Sequence, residues 1–261
     1  MTDKMLARKE DGVGTLIFNN PERHNAVSLD MWEAAATIMD DFRNDDSIRV
    51  VVLTGAGGKA FVSGADISKF GNERSSAEGV AKYNAITDRA YASVYDFPKP
   101  TIAMIRGYCI GGGMGLATCC DIRICTEGSK FGVPAAKLGL GYDDGGVKRL
   151  IDLVGPSFAK EIFFTARQFT AEEARVMGFV NRVVADAELE SYVQNYAQTI
   201  AGNAPLTIAS VKLIAGEVLK DESVRDKAAM DASIQRCFAS KDYVEGRTAF
   251  MEKRKPVFTG K

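Results

Sequence analysis

Two glycine-containing turns are the segments of this 261-residue sequence best suited to chemistry. Four of the residues 111–115 are glycine, and they separate an apolar run from a segment typical of a helix. Backbone N–H groups are exposed at such a helix start, where they can bind an anion or a developing oxyanion. The turn at residues 63–67 follows another apolar run and could present the N–H of Ala65 as a second donor. Alternatively, the glycines of the first turn only allow close helix packing.

Neither turn fits a nucleotide-binding motif. A dinucleotide fingerprint starting at Gly111 needs glycine or alanine at the position of Leu116. A phosphate loop around Lys59 fails because Ala60 stands where serine or threonine must bind magnesium. A nucleotide-dependent dehydrogenase is therefore disfavoured.

Residues 139–146 form a third candidate segment, with Tyr142, Asp143 and Asp144 on a glycine-flanked turn before a predicted helix. A partly desolvated aspartate becomes a stronger base, and a phenol can donate a hydrogen bond to a carboxylate or enolate. The alternative is structural. Asp144, or else Asp143, would then cap a helix that starts at Gly145, and Tyr142 would pack on the surface.

The composition excludes several other classes of function. With 33 Lys and Arg against 34 Asp and Glu, the net charge of −1 provides no field to attract nucleic acid or an anionic membrane. The single histidine, His24, rules out a His-rich metal site and is expected to be a loop residue. The five cysteines form no C-x-x-C pair, which favours reduced, buried thiols in a cytoplasmic protein. No segment has the roughly 20 apolar residues of a membrane span.

Short strands and helices must position the candidate turns. The pattern predicts strands at residues 15–18, 49–53, 101–105 and 122–125. The second and third have the continuous apolar character of strands buried on both faces. A helix capped by Ser28 presents one core-facing stripe, formed by Trp32, Ala35, Met39 and Phe42.

The second half of the chain is predicted to be helical after about residue 155. Thr170 and Glu173 form a capping box, a further helix covers residues 186–201, and an amphipathic helix follows Pro205. The expected fold class is therefore an α/β core of about 200 residues followed by a helical C-terminal part.

Several motifs together resemble the crotonase, or enoyl-CoA hydratase/isomerase, superfamily. They are Asn25-Ala26, Ser63-Gly64-Ala65-Asp66-Ile67, Lys99-Pro100 leading into Gly107, Gly111-Gly112-Gly113, Cys120-Asp121-Ile122 and Phe250-Met251-Glu252-Lys253-Arg254-Lys255. The resemblance implies a spiral of ββα units over residues 1–200 and a helical trimerisation region over residues 201–261. It also implies homotrimers or hexamers built as dimers of trimers.

The resemblance further implies an acyl-CoA substrate and no permanently bound cofactor. The N–H groups of Ala65 and Gly112 would form an oxyanion hole for the thioester carbonyl. The coenzyme A path would be lined by Ala26, Gly64, Asp66, Ile67 and Ser68. Phe250 and Lys253 match positions that reach the coenzyme A of a neighbouring subunit in relatives.

The hydratases that this sequence resembles have two catalytic glutamates. This sequence has Gly115 and Ala135 at those two positions. Asp143 resembles the catalytic aspartate of dienoyl-CoA isomerases and the nucleophile of 4-chlorobenzoyl-CoA dehalogenase, and Tyr142 resembles a tyrosine of methylmalonyl-CoA decarboxylase. We therefore expect an isomerase or atypical hydratase with Asp143 as base and Tyr142 as orienting donor. The alternatives are decarboxylation of a malonyl-type thioester and a catalytically silent coenzyme A-binding scaffold.

Overall fold

The computed structural model describes residues 2–66, 68 and 76–261. The described strands are β1 (Met5–Glu10), β2 (Val13–Phe18), β3 (Val50–Gly55), β4 (Ala60–Val62), β5 (Thr101–Ile105), β6 (Tyr108–Ile110), β7 (Ile122–Thr126), β8 (Lys130–Gly132), β9 (Phe169–Thr170) and β10 (Arg182–Val184). The described helices are α1 (Leu29–Asn44), α2 (Ala77–Tyr95), α3 (Gly112–Cys119), α4 (Ala135–Leu138), α5 (Asp144–Thr165), α6 (Ala171–Val176), α7 (Leu189–Ala201), α8 (Pro205–Val218), α9 (Lys227–Phe238) and α10 (Lys241–Glu252).

The strands of the described residues form two sheets. The larger has the order β1-β2-β3-β5-β7-β10, and it is parallel except for the β1–β2 hairpin. The smaller has the order β4-β6-β8-β9 and is parallel from β4 to β8. From β3 to β8 the strands alternate between the two sheets, so β4 and β6 are neighbours and the turns that leave them lie side by side. Strands and helices also alternate along the chain, which confirms the predicted α/β class.

Helix α1 packs as its sequence pattern predicts. Trp32, Ala35, Met39 and Phe42 are all buried, and they face the core that the two sheets share. Ser28 occupies the N-cap position, but its hydroxyl contacts the Asp30 carboxylate instead of a backbone N–H. The hydrophobic stripe therefore determines how the helix packs, with no help from a side-chain cap.

Buried thiols complete the core around β6, α3 and β7. Four cysteines are buried, and burial raises the pKa of each thiol above its usual value: Cys109, Cys119, Cys120 and Cys125. This confirms the expectation that most cysteines act as small core residues.

The all-helical prediction for the second half is wrong in two places. The short strands β9 and β10 extend the two sheets, because each pairs with a strand from the first half of the chain. Segments of two or three residues are too short to show a period in the sequence. Helix α5 is also bent at Gly155, the residue before Pro156. The φ of Gly155 is +74°, which is not helical.

The C-terminal helices α8 to α10 leave much of their apolar surface exposed. Along α8, the predicted amphipathic helix, Val211 is 62% exposed and Val218 is 53% exposed, so part of its apolar side does not pack on this chain's own core. Near the end of the chain, Phe250 is 82% exposed and Met251 is 80% exposed. Several large apolar side chains exposed in one region are typical of a protein interface. None of the described helices is both long and apolar enough to cross a membrane.

Candidate active site

The glycine turn enters α3 in direct contact with the end of β4. Gly111 has φ of +54° and ψ of −115°, a conformation that L side chains rarely adopt. A Cβ on Gly113 would lie 2.0 Å from the Val62 carbonyl oxygen, so only glycine permits this approach. The packing interpretation of the glycines is therefore correct for Gly113, but it leaves the N–H of Gly112 unexplained.

The turn after β4 presents its own N–H group to the same place. Val27 donates to the Gly64 carbonyl at 2.9 Å and accepts from the Asp66 N–H at 2.9 Å, so the N–H of Ala65 faces away from Val27. Among the described residues, neither Ala65 nor Gly112 has a backbone acceptor for its N–H. A Cβ built on Gly112 would lie 3.8 Å from the Ala65 nitrogen. The structure thus brings the two predicted donors together.

A buried asparagine holds the second turn in place. Asn25 has left-handed backbone, with φ of +55°, and is fully buried. Its side chain accepts from the Asn20 N–H at 2.8 Å and donates to the carbonyls of Ala56 at 3.0 Å and Ala60 at 2.8 Å. These bonds tie the segment before α1 to both ends of the β3–β4 connection. Asn25 therefore positions the backbone that pairs with Gly64 and Ala65.

We expect Asn25→Ala to lower the free energy of unfolding by about 3 kcal/mol, because three hydrogen bonds are lost and alanine tolerates positive φ poorly. Chemical denaturation measures the change. Asn19→Ala is the matched control, since its side chain makes one exposed hydrogen bond, to the Asp3 carbonyl. Equal stability of the two variants would contradict this role for Asn25.

The predicted coenzyme A residues at this turn form a polar cluster. Arg23 Nη1 lies 3.3 Å from Asp66 Oδ1 and donates to Ser68 Oγ at 2.9 Å, while Ser68 Oγ donates to Asp66 at 2.6 Å. Ala26 lies in the neighbouring segment, where its carbonyl accepts from the Asn20 amide at 2.9 Å. The predicted residue Ile67 lies outside the described residues.

The two predicted C-terminal residues are at the end of α10. The Phe250 side chain is exposed, and Lys253 ends the helix with φ of +54°. A contact with a neighbouring subunit requires side chains that are free of their own chain's core. The exposure of both residues is compatible with that requirement.

The structure corrects the expectation that Asp144 caps the helix after the third turn. Asp143 is the N-cap of α5, and its Oδ1 accepts from the Gly146 N–H at 2.6 Å. Asp144 is already helical, because it is the first residue of α5. An extended residue just before the helix can direct its oxygen to the N–H three residues ahead, whereas a helical one cannot. Tyr142 is 41% exposed and packs edge-on against Phe163 at 4.9 Å.

Asp88, Arg149 and Tyr91 lie between the Asp143 turn and the Gly112 amide, and the sequence alone did not indicate them. Burial and the charge of Asp143 raise the pKa of Asp88 on α2, and Arg149 opposes them. Arg149 lies 5.8 Å from the ring centroid of Tyr91, also on α2. The Tyr91 hydroxyl donates to the Gly112 carbonyl at 3.2 Å. The sequence signal that could have indicated Tyr91 is the pair of glycines at positions 112 and 115, one helical turn apart.

Comparisons with known proteins give a consistent result. Residues 8–261 match the model of the enoyl-CoA hydratase/isomerase family. The chain is 34% identical over 259 residues to crotonyl-CoA hydratase of Syntrophomonas wolfei, and the match covers 99% of both proteins. It is 36% identical over 244 residues to carnitinyl-CoA dehydratase of Salmonella paratyphi A, with 91% of both covered. A solved enoyl-CoA hydratase/carnithine racemase from Magnetospirillum magneticum has a TM-score of 0.95 and 38% identity, covering 100% of this chain and 97% of that one.

Proposed function

The chain belongs to the enoyl-CoA hydratase/isomerase family of acyl-CoA enzymes, and from this premise we propose that it converts a coenzyme A thioester through an enolate held by Ala65 and Gly112. Asp143 acts as the base, and Tyr142 orients the substrate. The observation that carries this proposal is the close approach of two N–H groups without backbone acceptors among the described residues. Two fixed dipoles of this kind stabilise the negative charge that develops on a thioester oxygen.

The choice of Asp143 as base follows from the carboxylates that the site lacks. Gly115 and Ala135 carry no titratable group, so any base must come from another segment. Asp143 acts electrostatically on Asp88 of α2, the helix that also carries Tyr91. Its Oδ1 is fixed by the Gly146 N–H, which orients the carboxylate. Isomerisation or an atypical hydration is the reaction that such a site supports best.

Decarboxylation of a malonyl-type thioester is the second candidate. Loss of carbon dioxide creates the enolate without an abstracting base, which suits a site without acids at positions 115 and 135. In this version Tyr142 binds the leaving carboxylate and Asp143 is turned away from it. The hydrogen bond from the Gly146 N–H to Asp143 is compatible with this version, because it directs one carboxylate oxygen toward the helix start.

A panel of enoyl-, dienoyl- and malonyl-type thioesters in deuterated water, followed by mass spectrometry, tests the proposal. Crotonyl-CoA is the first substrate to test, since one relative is a crotonyl-CoA hydratase. Deuterium incorporation with a gain of water supports hydration, incorporation without a mass gain from water supports isomerisation, and loss of carbon dioxide supports the second candidate. No turnover despite thermal stabilisation by coenzyme A would instead indicate the silent scaffold. Stabilisation by NADH alone would contradict all of these.

We also propose that the region 201–261 assembles the protein into trimers or hexamers, and that Phe250 and Lys253 reach the coenzyme A of a neighbouring subunit. The exposed apolar surface of α8 to α10 supports this, because water is excluded from such surface on association. Sedimentation equilibrium should give three or six chain masses at micromolar protein. A monomer under these conditions would contradict the assembly.

A further inference from the structure

Two glycines form a notch in the first turn of α3. Gly112 and Gly115 are three residues apart, so they share one face of the helix. The Tyr91 hydroxyl oxygen lies 3.3 Å from the position that a Cβ on Gly112 would take, and 3.1 Å from that of a Cβ on Gly115. The absence of both Cβ atoms lets the phenol approach the helix backbone, where its hydroxyl donates to the Gly112 carbonyl at 3.2 Å.

The notch lies close to the two amides. The Cβ position on Gly112, which is 3.3 Å from the Tyr91 hydroxyl, is also 3.8 Å from the Ala65 nitrogen and 3.5 Å from Trp32 Cζ2. The Trp32 ring packs edge-on against the Tyr91 ring at 5.2 Å and fixes its orientation. One point is therefore surrounded by an amide, an aromatic wall and a hydroxyl.

We propose that the Tyr91 hydroxyl is the proton donor of the acyl site and replaces an acid at position 115. The inference rests on the proposed enolate chemistry. In hydration, Asp143 takes a proton from the water whose oxygen bonds to the β-carbon, and the electron pair moves into the enolate. The enolate pair then bonds the Tyr91 proton at the α-carbon, and the thioester carbonyl forms again. Water transfers the proton held by Asp143 to the Tyr91 phenolate, so the net change is addition of one water.

The Tyr91 phenol keeps its proton for an electrostatic reason. Burial, with a smaller contribution from Tyr142, raises the pKa of Tyr91 well above its ordinary value, so the hydroxyl remains protonated at neutral pH. A neutral group costs much less to bury than a carboxylate. A protonated phenol can give a proton but cannot take one. The site therefore has a donor on α2 and needs its base from another segment, which we assign to Asp143, the N-cap of α5.

Tyr91→Phe is the first test, because it keeps the ring and its contacts and removes only the hydroxyl. We expect kcat to fall about 10²–10⁴-fold, the range for general acid catalysis, with free coenzyme A binding unchanged. Tyr95→Phe is the matched control. Tyr95 lies one turn further along α2, and Arg149 is 5.7 Å from its ring centroid. Loss of the Tyr95 hydroxyl should leave kcat unchanged. Unchanged kcat in Tyr91→Phe would overturn the proposal.

Rescue distinguishes a proton donor from a residue that only supports the fold. Gly115→Glu in the native background should lower kcat, because its Cβ would crowd the Tyr91 hydroxyl at 3.1 Å. In a Tyr91→Ala background, the vacated volume admits the new carboxyl group, and Gly115→Glu should raise kcat by about tenfold or more over Tyr91→Ala alone. The same effect of Gly115→Glu in both backgrounds would overturn the proposal.

A binding measurement separates this inference from the proposed function. If the native protein turns over no thioester, the enolate chemistry itself is wrong. Acetoacetyl-CoA, which ionises readily to an enolate, and free coenzyme A can still be compared by calorimetry. We expect the native protein to prefer acetoacetyl-CoA and Tyr91→Phe to lose most of that preference. Equal preferences in the two proteins would show that Tyr91 does not contact the acyl group.

Discussion

Asp143→Asn is expected to reduce turnover of the true substrate by about 10²–10⁴-fold, because an amide cannot accept the proton that the proposed base removes. The structure shows that this substitution can remove the charge of Asp143 and still preserve the helix cap. Asp143 caps α5 through the Gly146 N–H, and asparagine caps a helix about as well as aspartate. The fold and the affinity for free coenzyme A should therefore be nearly unchanged. Steady-state kinetics together with calorimetry measure both quantities.

Asp144→Asn is the matched control for charge and position. Asp144 is adjacent in sequence, but it is the first residue of α5 and does not cap it. The variant loses the same charge at the same helix end, so it reports any general electrostatic effect on the site. Full activity in Asp143→Asn would show that the base is misassigned. Equal losses in both variants would assign the effect to the local charge instead.

Gly112→Pro is expected to lower kcat by about 10²–10³-fold, because it deletes one of the two N–H groups that we propose hold the thioester oxygen. Gly112 is the first residue of α3, where proline fits because its missing N–H takes no part in the helical hydrogen bonds. The loss should appear in kcat, since the amide interacts most strongly with the charged intermediate. Thermal denaturation checks that α3 remains folded.

Gly112→Ala isolates the contribution of the N–H from that of crowding. Both substitutions add a Cβ that would lie 3.3 Å from the Tyr91 hydroxyl, but only proline removes the donor. The ratio of kcat between the alanine and proline variants therefore measures the amide itself. A ratio near one would mean that Gly112 does not donate to the substrate.

The features predictable from the sequence are those with a local signal. The stripe from Trp32 to Phe42 has a helical period, so α1 and its buried face follow directly. The apolar runs predict β3 and β5 within a few residues. The capping box of Thr170 and Glu173 forms as its spacing predicts.

Features that depend on distant parts of the chain have no such signal. Strands β9 and β10 exist because each finds a pairing partner, β8 and β7, more than thirty residues earlier. Tyr91 belongs to the candidate site only because α2 packs beside the first turn of α3. The identity of the N-cap depends on the backbone angles at positions 143 and 144, because both residues are aspartate and either could cap the helix.

The pairing of Ala65 with Gly112 is an intermediate case. Glycine turns after apolar runs indicate exposed amides, but the spacing cannot show that the two turns meet. They meet because β4 and β6 are neighbours in the smaller sheet, and because Gly113 lets α3 approach Val62 closely. Asn25 adds the long-range hydrogen bonds that hold the turn carrying Ala65 in place. Tertiary contacts thus complete a candidate site whose parts can be recognised in the sequence.

The carbonyl stretching frequency of a bound thioester, labelled with ¹³C at its carbonyl, tests the claim about Ala65 and Gly112 most directly. Two amide donors polarise the C=O bond, so we expect the band to move to lower frequency on binding to the native protein. Much of that shift should be lost in Gly112→Pro and retained in Gly112→Ala. A band at the same frequency in the native complex as in water would contradict the oxyanion hole.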